Sequence, residues 1–154
     1  MNPQSTNRKI LVVDDDASFA SDLKMWLSRE GFRVHVAQVG RAAIQFHRLY
    51  RPYTAVLLDL HMPKVDGFEV LKEIKGTDVG TRVAVLTADA HARDRATALG
   101  ADAFLIKPIN RKTICGLIHE LMSGRITYLT ALQTRSRSRQ RPGSTKYPLH
   151  VTHG

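Results

Sequence analysis

The chain has 154 residues, a size that a single hydrophobic core organises. With 43% hydrophobic and 24% charged residues, it has the profile of a globular domain rather than a disordered or membrane-embedded chain. The net charge of +9 is divided unevenly. Residues 1–124 hold 17 Lys/Arg against 14 Asp/Glu, a net of +3, whereas residues 125–154 hold six basic residues and no acid. No apolar run nears the ~20 residues that a spanning helix requires. Met1 to Lys9 is polar, without the apolar stretch of a signal peptide. Cys115 is the only cysteine, which excludes an intrachain disulfide and a cysteine-based zinc cluster. These features lead to the expectation of a cytoplasmic protein.

Along the chain, apolar runs alternate with helical periods. Ile10-Leu-Val-Val13 is a short β-branched run that stops at three aspartates. Phe19, Leu23, Trp26 and Leu27 recur at helical spacing, and Gly31 closes that segment. Val34 and Val36 alternate with polar neighbours and predict a second strand. A helix from about Arg41 to Tyr50 follows, stopped by Pro52. Ala55-Val-Leu-Leu58 reads as a strand buried on both faces. Asp66-Gly67 reads as turn chemistry, and Val70, Leu71 and Ile74 place a helix behind it. Val83-Ala-Val-Leu86 is a fourth strand, followed by an alanine-rich helix ending at Gly100. Phe104-Leu-Ile106 is the fifth strand, and Ile114, Leu117, Ile118 and Leu121 stripe the last helix. Trp26 and Cys115 are expected to serve packing. Beyond residue 125, Arg135-Ser-Arg-Ser-Arg-Gln-Arg141 and Pro142-Gly143 form a basic stretch too polar to build a core. The expected division is one domain over residues 8–124 and a basic, unstructured tail over 125–154.

Strands joined by single helices require right-handed crossovers and a parallel sheet covered on both faces. At this size the expectation is an α/β, flavodoxin-like (βα)5 fold with strand order 2-1-3-4-5. Ligands bind such sheets beyond the carboxyl ends of the strands. Strand one ends in Asp14, Asp15 and Asp16, strand three in Asp59, strand four in Thr87 and strand five in Lys107, followed by Pro108. Carboxylates crowded at one rim repel each other unless a cation neutralises them. Hard oxygen ligands with room for water suit Mg²⁺ or Mn²⁺. A divalent ion, an ammonium and a hydroxyl around one free carboxylate fit phosphoryl transfer to an aspartate. In that reading the cations neutralise the phosphoryl oxygens, and Thr87 donates a hydrogen bond.

ILVVDDD at Ile10 to Asp16, LLDLHMPKVDG at Leu57 to Gly67, LTA at Leu86 to Ala88, and KP at Lys107-Pro108 resemble the receiver domain of bacterial response regulators. The resemblance covers about residues 8–123 with all four motifs in order. It implies that Asp59 is the phosphoacceptor, fed by a histidine kinase or phosphotransfer protein. It implies that Asp15 and Asp59 ligate the metal directly, Asp14 through water and His61 through its backbone carbonyl. Thr87 and Lys107 would contact the phosphoryl group, with the Lys107-Pro108 bond cis. The family's switch pairs the threonine with an aromatic on strand five, which falls on Phe104. That switch would alter the surface of the fourth helix, fifth strand and fifth helix, where a downstream protein docks. Asp89 lies where the family tunes water access. Together with His61 it is expected to influence the phosphoryl lifetime. The expected protein is a switch that gains and slowly loses its own phosphoryl group, not an enzyme with a separate substrate.

Alternatives remain open at this point. Asp16 reads as a helix cap, a common role for an acid after a strand, and the same reading stays open for Asp14 and Asp15. Asp14-Asp15-Asp16 formally contains the DxD of haloacid-dehalogenase-type phosphatases, with Asp14 as nucleophile, but Ala17-Ser18 replaces that family's Gly-Thr and no cap domain fits. The basic tail could itself bind nucleic acid through salt-dependent contacts. The chain could act through protein contact alone or be a fragment of a longer regulator, and a homodimer through the fourth and fifth helices is left undecided.

Overall fold

The computed structural model describes residues 8–124, so the basic tail over 125–154 lies outside the described residues. Five parallel strands form one sheet: β1 (Lys9–Val13), β2 (Arg33–Ala37), β3 (Ala55–Leu58), β4 (Arg82–Thr87) and β5 (Ala103–Ile106). Their order is β2-β1-β3-β4-β5, the flavodoxin-like arrangement expected from the alternation of strands and helices. The connecting helices are α1 (Ala17–Arg29), α2 (Gly40–Tyr50), α3 (Gly67–Thr77), α4 (Arg93–Ala98) and α5 (Arg111–Ser123).

Alternate residues of β1, β3, β4 and β5 feed opposite layers, because successive side chains point to opposite faces. Ile10, Val12, Leu57, Leu86 and Leu105 pack against Ala20, Leu23 and Leu27 of α1 and Ile114, Leu117 and Leu121 of α5. Leu11, Val13, Val56, Leu58, Val85 and Phe104 pack against Ala43 of α2, Val70, Leu71 and Ile74 of α3, and Ala96 of α4. Each large side chain removed from water this way contributes about 1.5–3 kcal/mol.

Caps set where the helices begin. The side chains of Asp16, Asp66 and Asn110 accept from the backbone N–H of Phe19, Glu69 and Thr113, at 3.1, 3.0 and 2.9 Å. Asp16 is therefore a helix cap. Gly31 (φ +89°) ends the chain segment of α1 in the left-handed region, a conformation only glycine adopts without cost. The fourth helix is shorter than its alanine-rich sequence implied. Asp89 caps a 3-10 turn at Ala90–Ala92 by accepting from the His91 N–H, and α4 proper starts only at Arg93 without a side-chain cap.

At the amino end of the sheet, away from the acidic rim, polar groups fasten the start of β4. The Lys75 ammonium lies 2.6 Å from the Asp102 carboxylate and donates to the Thr81 carbonyl at 2.7 Å. Asp102 also accepts from the Val83 N–H at 2.8 Å. Nearby, His47 is 1% exposed, stacked on Tyr53, with its Nε2 3.4 Å from the Thr81 hydroxyl and 3.8 Å from Asp78.

Candidate functional site

The sheet ladder extends one residue past three strands and fixes the backbone of the rim. The Asp14 N–H donates to the Ala37 carbonyl at 3.1 Å, the Asp59 N–H to Val13 at 2.8 Å, and the Lys107 N–H to Thr87 at 2.9 Å. Asp14 and Asp59 thus issue from neighbouring strands and Lys107 from β5, with β4 between, all at one rigid edge that holds their side chains to one geometry. Asp14 is 2% and Asp59 7% exposed, whereas Asp15 is open to solvent.

Lys107 binds the two buried carboxylates together. Its ammonium donates to Asp14 Oδ2 at 2.8 Å and to Asp59 Oδ2 at 3.2 Å. The Nζ also lies 4.6 Å from the centre of the Phe19 ring on α1, a cation–π contact. Sequence periodicity assigned Phe19 only to packing, since a phenylalanine at helical spacing does not by itself mark a contact with a residue 88 positions away. The other oxygens are tied to backbone: Asp14 Oδ1 accepts from the Asp16 N–H at 2.9 Å, and Asp59 Oδ1 from the His61 N–H at 3.1 Å.

Burial pushes the Asp14 carboxyl above its usual range, even though the Lys107 hydrogen bond pulls the other way. Burial likewise pulls the Lys107 ammonium down, but the hydrogen bond and charge of Asp14, with those of Asp59, outweigh it and leave its pKa raised. The two groups therefore depend on each other for charge. One carboxylate oxygen from each of Asp14, Asp15 and Asp59 lies within 4.8 Å of the others. Three hard oxygen donors converging on one point, one of them solvent-exposed, fit a divalent ion that keeps some of its water.

Thr87, at the end of β4, is fully buried, and its hydroxyl oxygen accepts from the Asp89 N–H at 3.3 Å. The hydroxyl is thereby oriented with its proton left to donate. Across the mouth of the site, His61 Nε2 lies 3.5 Å from Asp89 Oδ2, joining the loop after β3 to the loop after β4. Phe104 is 2% exposed, in the layer of α3 and α4. The Lys107–Pro108 peptide is cis, as is Arg51–Pro52. The loop after β3 is shaped by close approach: a Cβ on Gly67 would stand 2.4 Å from the Asp59 carbonyl oxygen. Lys64 takes a positive φ of 73°, where the Val65 N–H turns back to the Pro63 carbonyl at 3.1 Å. Among the described residues no helix is long and apolar enough to cross a membrane.

Comparison with known proteins agrees with this geometry. The family model of the response regulator receiver domain matches residues 10–119. Over 116 residues the chain is 30% identical to the cell cycle response regulator CtrA of Brucella ovis, covering 74% of this chain and 50% of that protein. The chain thus spans about half the length of the curated relatives it matches. Among solved structures it is similar to the response regulator TrrA of Thermotoga maritima in complex with Mg²⁺-BeF, at 31% identity and a TM-score of 0.67, covering 74% of this chain and 98% of that one. The receiver domain of the Francisella response regulator 1452 gives 27% identity and a TM-score of 0.69, covering 76% and 98% respectively. With the family model matched over residues 10–119 and the strand order β2-β1-β3-β4-β5, this chain belongs to the response regulator receiver domains.

Proposed function

We propose that the chain is a phosphorylation-operated switch of two-component signalling, with Asp59 as the phosphoacceptor. The observation that carries this reading is the Lys107 ammonium held 2.8 Å from Asp14 and 3.2 Å from Asp59. It supplies a fixed positive charge beside a nearly buried carboxylate. A histidine kinase or phosphotransfer protein presents a phosphohistidine, and an Asp59 oxygen attacks the phosphorus in line. The P–O bond to Asp59 forms as the P–N bond to the donor imidazole breaks, and the electron pair stays with that nitrogen. Lys107 neutralises charge on the transferred oxygens, and the Thr87 hydroxyl donates a hydrogen bond to one of them. Asp15, Asp59 and the backbone carbonyl of His61, with Asp14 through water, would hold Mg²⁺ or Mn²⁺, which when bound would supply positive charge to offset that of the phosphoryl oxygens.

The chemistry ends with the chain's own phosphoryl group, later lost to water. The His61–Asp89 bridge across the site mouth supports a role for both residues in limiting that water and so in setting the phosphoryl lifetime. Thr87 and Phe104 couple the site to the face of α4, β5 and α5, where a downstream protein docks or a second copy pairs. The domain is proposed to occupy residues 8–124 in the cytoplasm. The six basic residues after 124 support a second contact, with nucleic acid.

Intact mass after incubation with Mg²⁺ and acetyl phosphate tests the assignment. A single phosphoryl adduct is expected in the wild type and none in Asp59→Ala. An adduct that persists in Asp59→Ala but disappears in Asp14→Ala would move the nucleophile to Asp14 and restore the phosphatase reading. No adduct from several donors would leave a receiver that binds partners without phosphorylation.

A further inference from the structure

Helix α4 buries only Ala96 and has no side-chain cap at its amino end. Two arginines contribute what apolar packing contributes for the other helices. The Arg93 guanidinium lies 5.4 Å from the centre of the Phe104 ring on β5, and that of Arg95 lies 3.9 Å from the Phe68 ring on α3. A guanidinium over an aromatic face is attracted by the ring quadrupole and also covers the ring with its own plane. The two contacts differ in what they touch. Phe68 sits in the first turn of α3, whereas Phe104 stands three residues before the lysine that grips Asp14 and Asp59.

The geometry points to Arg93 as a positioning residue of the switch: with its guanidinium 5.4 Å over the Phe104 ring, it clamps the ring inward and ties the ring's position to the start of α4. The inference rests on Phe104 being the mobile aromatic of the proposed switch. For the ring to leave the interior, it must part from Arg93 or carry the first turn of α4 with it. The inward state therefore holds a contact that the outward state lacks, unless α4 follows the ring. Arg95, stacked on α3, steadies the helix without holding that ring. Loss of one partly exposed cation–π contact raises the outward population about two- to fivefold.

Fluorine NMR on the full chain, labelled at its five phenylalanines with 4-fluorophenylalanine, tests this. The Phe104 line is assigned by its loss in Phe104→Leu. In the unphosphorylated protein, Arg93→Ala is expected to raise microsecond–millisecond exchange at Phe104, with a minor-state population about two- to fivefold above wild type. Arg93→Lys, which keeps a cation, should fall between the two, and Arg95→Ala should match wild type. Addition of Mg²⁺ with beryllofluoride should quench the exchange. The clamp is overturned if Arg93→Ala shows only a shifted line with wild-type exchange, or if Arg95→Ala raises the exchange equally. Absence of beryllofluoride binding to the wild type would instead count against the receiver chemistry, and the comparison of unliganded variants would still decide the clamp.

Discussion

Lys107 stands as counter-ion to Asp14 and Asp59 together, so its removal should separate two properties that usually move in parallel. In Lys107→Ala the rim keeps its three carboxylates but loses the resident cation, and Mg²⁺ should bind about tenfold more tightly. Adduct formation from acetyl phosphate should slow by at least about tenfold, the worth of one charge-assisted hydrogen bond. Calorimetric Mg²⁺ titration and timed intact mass read the two effects. Weaker metal binding in the variant would show that Lys107 positions the carboxylates rather than competing for them. His47 gives a residue-level prediction in pH. Burial holds its imidazole below the ordinary 6.5, against the opposing charge of Asp78. The folded chain then binds fewer protons there than the unfolded chain, so stability is lost as pH falls below about 6.5. Asp78 is itself held below 3.8 by the hydrogen bond from the Thr81 hydroxyl and acts only at lower pH. Melting temperatures between about pH 7.5 and about pH 5.5 should fall less steeply in His47→Leu than in wild type. His35, which burial lowers in the same way, adds to the remaining slope, and Asp14, which burial raises, opposes it. Identical slopes would remove His47 from the account.

Glycines that look alike in sequence have opposite roles in their elements. Gly67 opens α3 against the strand that delivers Asp59, and an added Cβ would meet the Asp59 carbonyl oxygen and the Leu60 Cα, each at 2.4 Å. Gly67→Ala should destabilise the fold by about 2 kcal/mol or more, because backbone on both sides must shift. Gly116, inside α5, has nothing within 4 Å of the same added atom, and Gly116→Ala should stabilise by about 0.5–1 kcal/mol. Urea denaturation of the two variants checks both signs; a destabilised Gly116→Ala would mean that α5 lies against something on that side. The Asp-Gly pair in LLDLHMPKVDG announced a turn before α3, and Asp16 after strand one announced a helix cap, because such signals act over three or four residues; that Asp66 also caps α3 was not read. The length of α4 could not be read the same way. Its alanines suit a longer helix, but the Asp89 cap diverts Ala90–Ala92 into a 3-10 turn. What then fixes α4 is contact with aromatics on α3 and β5, distant in sequence.

For the molecule as a whole, strand order and the membership of the rim followed from alternation of apolar runs with helices, since each inner strand could end only at the one edge. The Lys75–Asp102 pair, the burial of His47 and the seat of Phe19 beside Lys107 had no such signature. Each joins residues separated by many positions, and a lysine, histidine or phenylalanine at helical spacing reads as an ordinary face. Charge distribution yields a prediction of the same breadth. With residues 125–154 carrying six basic groups and no acid, a chain ending at Gly124 should form the Asp59 adduct at the wild-type rate. Any affinity of the full chain for duplex DNA should fall steeply with salt, survive Asp59→Ala and vanish on that truncation. Gel-shift titrations at two salt concentrations, beside intact mass, test both halves; DNA binding retained by the shortened chain would place the contact on the domain.

Strand β5 has a consequence for how this protein can vary. Phe104 enters the layer of α3 and α4, Leu105 the layer of α1 and α5, and Lys107 just beyond reaches toward Phe19 of α1. Lys107 stands three positions after Phe104, an odd step, and that parity alone puts the two side chains on opposite sides of the sheet. Loops elsewhere can gain or lose a residue and keep their ends. One residue added or removed between Phe104 and Lys107 would bring both side chains to the same side, leaving the acidic rim without its cation or the α4 layer without its ring. The count of residues in that short stretch, more than the identity of those between, is what this architecture cannot give up.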